Sequence, residues 1–226
     1  MGHDDTTGSD SKARQVASES HWPEMEALIC VVNDAKKGTS STSGMQRTVV
    51  TSALLQHRIG SVVPSRMADI ERAIADKHFG NFAEITMRDS NQFHAVALDT
   101  YPPIFYMNDV SRSIIAVITE YNRLSEEPKA AYTYDAGPNA VIYALSPNVR
   151  EIAQLILYYF PQAEKVVIGG QEVEAALPQG FNEAVAKRWE VGAVKGLIHT
   201  RVGDGPRVLS DSEALLNAEG MPKTLA

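Results

Sequence analysis

Two short apolar runs, AAYTYD at residues 130–135 and AVIYAL at 140–145, meet across Ala-Gly-Pro-Asn. Both alternate small with β-branched or aromatic residues, and the break between them holds the residues that turns use. They read as paired strands bent around Gly137 and Pro138. The first run ends on a carboxylate, Asp135, which a turn does not need. It caps the turn, or a short strand presents it as a general base or an orienting anion. Gly137 would let backbone approach closely and Pro138 would stiffen the bend. Asn139 either hydrogen-bonds a ligand or caps the same turn.

The other segments alternate strand and helix. EALICVVND (26–34) is apolar and β-branched and reads as a buried strand. KKGTSSTSGM (36–45) is a loop of small residues. QRTVVTSALLQHRIGSVV reads as a helix from the apolar positions Val49, Val50, Leu54 and Leu55. PSRMADIERAIADKH starts near Pro64 and keeps a 3.6-residue period through Met67, Ile70 and Ile74, with Glu71, Arg72 and Asp76 toward water. NFAEITMRDSNQFHAVAL is a third helix, ended by YPPIFYMND, and SRSIIAVITEYNRL is a fourth. NVREIAQLILYYFP is a fifth. KVVIGG and VKGLIHTRVG read as strands, and residues 204–226 as a polar tail. The expected class is α+β.

The 226 residues suffice for one large domain or two small ones, and 44% hydrophobic with 22% charged is ordinary for a globular protein. The net charge of −7 disfavours nucleic acid, which wants a basic face. It leaves room for a phosphorylated small molecule. Cys30 is the only cysteine, so no internal disulfide forms, and a reducing compartment is expected. No apolar run nears the roughly 20 residues of a membrane span, so no membrane association is expected. The polar N-terminus lacks a signal-peptide core. Met1, Gly2 and Thr6 formally fit a myristoylation pattern, and the C-terminal TLA is not a peroxisomal signal. The expected location is cytoplasmic.

Two further stretches could carry chemistry. In KKGTSSTSGM, Ser40, Ser41, Thr42 and Ser43 sit just before a helix, where free N–H groups and partial positive charge favour anions. The alternative is an N-cap with a loop. The Gly-Lys-Ser/Thr ending of a Walker loop is missing. Lys36 and Lys37 read as a solvated pair. RDSNQFHA (88–95) packs polar residues onto two helical turns. Asp89, Gln92 and, less directly, Phe93 share one face there, while Ser90 and His94 share another. Such a histidine is more often a structural hydrogen-bonder than a ligand. No metal-ligand spacing, Gly-x-Ser-x-Gly or Cys-His pair occurs.

Taken together, DSNQFHAVALDTYPPIFYMN, AAYTYDAGPNAVIYAL, STSGMQRTVVTSALLQHR with SVVPSRMADIERAI, SKARQVASESHWPEMEALICVV and TRVGDGPRVL resemble the mevalonate diphosphate decarboxylase family, within the GHMP small-molecule kinases. The resemblance runs nearly the whole chain, in order. It implies the ferredoxin-like C-terminal domain of the GHMP kinase fold over residues 25–226, with residues 1–24 a polar remnant of the first domain. It implies ATP-dependent phosphorylation of the tertiary hydroxyl of mevalonate 5-diphosphate, then loss of phosphate and carbon dioxide to give isopentenyl diphosphate. Asp135 would be the catalytic aspartate, and Thr42, with Ser41 beside it, would bind substrate. The cofactors implied are ATP and Mg²⁺, and the expected assembly is a homodimer.

The family's Gly/Ser-rich ATP loop, its substrate-gripping arginine segment and its Tyr/Lys stretch do not occur among these 226 residues. The expectation is therefore a C-terminal portion with the N-terminal ATP-loop domain largely missing and little activity by itself. Interdomain surface would be exposed on it, leaving it marginally stable or oligomeric. The alternative is an inactive dimerisation or partner-binding domain derived from the enzyme.

Overall fold

The computed structural model describes residues 13–32 and 41–223, with the side chain of Ser41 left out. The expectations for Lys36, Lys37, Ser40, the Ser41 hydroxyl and residues 1–12 lie outside the described residues.

Four strands form one sheet: β1 (Met25–Val31), β2 (Ala130–Thr133), β3 (Ala140–Leu145) and β6 (Gly196–Arg201). Their spatial order is β2-β3-β1-β6, and every neighbouring pair is antiparallel. In that order β1 and β2 run parallel with β3 between them. Parallel strands need a crossover connection. Here that crossover contains α1 (Ser41–Thr51), α2 (Ala53–His57), a π turn (Arg58–Val62), α3 (Val63–Ala75), α4 (Phe79–Asp99) and α5 (Asp109–Arg123). After β3, α6 (Ser146–Tyr159) and a two-residue hairpin, β4 (Val167–Ile168) with β5 (Gln171–Glu172), lead to β6. This is the split β-α-β of a ferredoxin-like domain, enlarged in its first crossover.

The strand period of two sorts side chains onto two faces. Leu28 and Cys30 of β1, with Ala140, Ile142 and Ala144 of β3, face α5 and α6 and form the main core with Ile114, Val117, Ile118, Ile152, Ile156 and Tyr159. Among the described residues the opposite face is covered at one end only. There Trp22, Phe79 and Ala83 close over Met25 and Ala131, against Phe82, Tyr143 and Leu145. Toward the other end Ile29 and Val141 are only half-buried, and Ile198 of β6, paired with Ile29, is 52% exposed.

Several boundaries differ from the sequence reading. The first helix begins at Ser41, so the hydroxyl residues occupy its opening turns instead of a preceding loop. It is not continuous to Val63. It breaks at Ser52, whose hydroxyl accepts from the Leu55 N–H and starts α2. Val49 and Val50 are 60% and 83% exposed, and Met67 is 52% exposed, so their periodicity marks helix without marking core. Ala73 is the buried residue of α3. KVVIGG pairs over two residues only, because Gly169 and Gly170 turn the chain at φ 59° and 78°. Two consecutive left-handed residues are what a tight hairpin requires.

Trp22 ties the segment before β1 to the sheet. It is 7% exposed and meets Phe79 and Phe82 edge-on at 6.4 and 6.1 Å. Trp22→Ala is expected to destabilise the chain by about 3–5 kcal/mol, read as a shift in the urea midpoint. A shift equivalent to less than about 1 kcal/mol would mean that this cluster is not part of the cooperative core.

Candidate functional site

Asp135 lies two residues past the end of β2, at the half-open end of the sheet. It is exposed and lies at a pocket of 340 Å³ lined also by Ile29, Thr133, Tyr134, Gly137, Asn139 and Val141. The main chain around it is closely bonded. The Gly137 N–H donates to the Asp135 carbonyl at 2.8 Å. Asn139 is committed to structure on one side, since its Oδ1 accepts from the Val32 N–H at 2.8 Å and ties the start of β3 to the end of β1. The Ser111 hydroxyl, on α5, donates to the Pro138 carbonyl at 2.8 Å. Ser111 also completes a capping box with Asn108. The hairpin is thus anchored on both sides while the carboxylate is left toward the pocket.

Tyr134, the residue before Asp135, is buried and held at two points. Its N–H donates to Ser90 Oγ at 3.0 Å and its hydroxyl donates to the Ser111 carbonyl at 2.9 Å. Ser90 and His94 lie one turn apart on α4, on the shared face that their spacing indicates. His94 is 4% exposed, and among the described residues its Nε2 has no hydrogen-bond partner. Burial pushes the His94 pKa down from 6.5, against the Tyr134 backbone and the nearby charge of Asp135.

The other face of the same run is an ion-pair network. Arg58 grips Asp89 with both terminal nitrogens, at 2.7 and 2.8 Å, and Arg66 adds a contact at 2.9 Å. Gln92 Oε1 accepts from both arginines at 2.8 and 2.9 Å. Burial alone would raise the Asp89 carboxyl, and the two guanidiniums overcome it to hold it below its usual range. The network borders a 450 Å³ pocket between α3 and α4 that meets the Asp135 pocket at Thr133.

Thr42 is exposed in the first turns of α1. The C-terminal end of α4 fixes that helix. The Ser52 hydroxyl donates to Asp99 Oδ2 at 2.7 Å and the Leu54 N–H at 3.1 Å, while the Thr48 and Thr100 hydroxyls meet at 2.8 Å. These bonds lower the Asp99 pKa, the Ser52 bond most. Farther along α1, Arg47 lies within electrostatic range of Tyr106, and so does Asp135. Burial chiefly raises the Tyr106 hydroxyl, Arg47 opposes it, and Asp135 adds to it. Arg47 and Tyr106 were not singled out from the sequence. Neither has a motif, and only the fold brings Arg47 and Asp135 within range of Tyr106. Cys30 is fully buried, its thiol pushed up to about 12 by burial, and takes no part.

Comparison with known proteins agrees with this architecture. Residues 27–209 match the family described as mevalonate 5-diphosphate decarboxylase C-terminal domain. The diphosphomevalonate decarboxylase of Ganoderma lucidum is 64% identical over 225 residues, covering 96% of this chain and 56% of that protein. The X-ray structure of a mevalonate 5-diphosphate decarboxylase superposes with a TM-score of 0.78 at 41% identity, covering 96% of this chain and 56% of that one. The mevalonate diphosphate decarboxylase from Enterococcus faecalis, solved for its mevalonate diphosphate mediated ATP binding mechanism, gives a TM-score of 0.56 at 25% identity, over 66% of this chain and 43% of that one. The chain thus spans about half the length of the curated relatives it matches.

His94 makes the fold sensitive to mild acid. The folded state keeps it neutral below 6.5, so on acidification the unfolded chain binds a proton that the folded chain refuses. Its contribution is intact above the unfolded pKa and declines as pH falls through that value toward the lowered folded one. Urea unfolding at several pH values from neutral to about 5 should show stability falling more steeply for the unaltered chain than for His94→Asn. Parallel slopes would refute the assignment.

Proposed function

This chain belongs to the mevalonate 5-diphosphate decarboxylase family, and on that premise we propose that it carries the catalytic-carboxylate portion of an ATP-dependent decarboxylation of mevalonate 5-diphosphate to isopentenyl diphosphate. The observation that carries the reading is Asp135: an exposed carboxylate at a strand end, beside a pocket, on a main chain whose hydrogen bonds are made. Such a group can meet a substrate hydroxyl without the loop rearranging.

In this reading Asp135 accepts or orients the proton of the tertiary hydroxyl as that oxygen bonds to the γ-phosphorus of ATP and ADP departs. The new phosphate then leaves as the bond to the carboxylate carbon breaks. Carbon dioxide is released, and the electron pair forms the double bond of isopentenyl diphosphate. The opening turns of α1, with the Thr42 hydroxyl, offer hydrogen-bond donors to an anionic substrate. Arg47, half-buried on the same helix, adds positive charge on the Asp135 side. Magnesium would come with the nucleotide phosphates. Among the described residues no three His, Cys, Asp or Glu side chains gather as a cage, so no step is assigned through the metal.

The test places this chain in the Ganoderma lucidum enzyme in exchange for the matching span. ADP release dependent on mevalonate 5-diphosphate should appear, with Asp135→Asn lowering kcat by about 10²–10⁴-fold and changing substrate affinity little. The chain by itself is the blank. It should release no ADP, since phosphoryl transfer rests on positioning the nucleotide phosphates and its 226 residues hold no Gly-rich phosphate loop. A near-normal rate for Asp135→Asn would remove the catalytic role.

Thr42→Ala in the same exchanged enzyme should weaken substrate more than nucleotide. A lost hydrogen bond to a charged group costs roughly 1.5–3 kcal/mol, which titration of each ligand would resolve. Unchanged affinity for both would reduce Thr42 to a residue of the helix start.

A further inference from the structure

We propose that Ser111 is a positioning residue for Asp135, clamping the loop that carries the carboxylate on both flanks from the first turn of α5. The inference rests on the catalytic reading of Asp135 and extends it to a residue that never meets the substrate.

Ser111 is 0% exposed and meets the loop twice. Its hydroxyl donates to the Pro138 carbonyl at 2.8 Å, and its carbonyl accepts from the Tyr134 hydroxyl at 2.9 Å. Tyr134 precedes Asp135, and Pro138 lies three residues beyond it. The arc between these ties is closed on itself, since the Gly137 N–H donates to the Asp135 carbonyl at 2.8 Å. Tyr134 is bonded at its N–H by Ser90 Oγ and at the far end of its ring by Ser111. The carboxylate therefore leaves from an arc held at both ends.

Helix capping does not account for the Ser111 hydroxyl. Its oxygen lies 3.3 Å from the Asn108 nitrogen, 3.2 Å from Asn108 Oδ1 and 2.8 Å from the Pro138 carbonyl. A hydroxyl has one proton to give. Asn108 Oδ1 already accepts the Ser111 N–H at 3.0 Å, and the Pro138 carbonyl is nearer, so the proton goes to the loop while a lone pair serves the cap. A glutamate here would close the same box but, ionised, has no proton to donate. The mounting is stiff as well. Ile114, Val117 and Ile118 of the same helix are fully buried in the main core, and a helix holds a site more precisely than a loop does. Misplacement by about 1 Å can cost on the order of 10²-fold in rate.

The experiment sets two loop ties against one cap. In the exchanged enzyme, Ser111→Ala should lower kcat by about 10–100-fold with KM nearly unchanged. Tyr134→Phe, which removes only the other tie, should also lower kcat at unchanged KM. Asn108→Ala removes the cap and leaves both ties, so it should lower the urea midpoint and keep kcat. The inference is overturned if Ser111→Ala retains kcat while Asp135→Asn loses it, which would leave the catalytic reading standing. It is also overturned if Asn108→Ala loses as much kcat as Ser111→Ala, which would reduce Ser111 to part of the cap. Should Ser111→Ala fail to fold, Tyr134→Phe decides, and a normal kcat there overturns the inference. A normal rate for Asp135→Asn would instead sink the catalytic reading, and the positioning role with it.

Discussion

The hydrogen bond from the Tyr134 N–H to Ser90 Oγ joins the edge of the sheet to the helix that organises everything around it. A buried strand end cannot leave its main-chain groups unpaired, and β2 stops pairing at Thr133. The next N–H must find a partner off the sheet, and α4 supplies one. Once that bond is made, the position of α4 against β2 is set in register as well as in distance. Residues above and below Ser90 on the helix then fall where they must. Phe79 and Ala83 close the aromatic end, Asp89 and Gln92 face the arginines of the π turn and α3, and Asp99 and Thr100 reach α1 and α2.

The 21 residues of α4 thereby serve three neighbours with different chemistry. Toward the sheet the contacts are apolar or neutral hydrogen bonds, where burial is deep. Toward α3 they are charged, and Asp89 stays ionised because two guanidiniums outweigh its desolvation. At the C-terminal end a carboxylate and a hydroxyl take up the donors of a break in α1 and α2. Such segregation is economical. A charge on the Ser90–His94 face would have to be buried, at a cost well above that of the neutral groups present.

The sequence showed the elements that local patterns determine and missed those that tertiary contact determines. The hairpin was legible because both strands carry their own alternation and Gly-Pro-Asn marks the bend. The two faces of RDSNQFHA were legible from helical spacing alone. Their partners were not: Arg58, Arg66 and Tyr134 are 23 or more residues away from the groups they meet, and nothing local points to them. The start of α1 was placed too late because Ser, Thr and Gly are weak helix formers. The break at Ser52 escaped notice because Asp99, its partner, is 47 residues away. Arg47 was passed over as one cation among several. Val49 and Val50 carry the apolar positions that mark a helix, yet they are 60% and 83% exposed. Period reports conformation, while burial depends on what lies opposite.

The enlarged crossover explains how one sheet end gathers these groups. In a minimal split β-α-β, a single helix would link β1 to β2 and cover the face beside them. Here the connection between the parallel strands β1 and β2 runs through five helices. Only α5 takes up the covering role, in the main core with α6. The rest of the crossover is free to pass to the other face. There α4 lies along β2 and covers the sheet at the Trp22 end alone, leaving Ile29 and Val141 partly open beside Asp135. A fully covered sheet would be more stable but would bury the strand end and desolvate the carboxylate, which is costly. A fully bare one would leave Asp135 on a loop with nothing to aim it. Partial cover, with the carboxylate outside and its preceding residue gripped inside, satisfies both demands. It also explains why the side chain that takes the Tyr134 N–H comes from the middle of a helix and not from the turn itself.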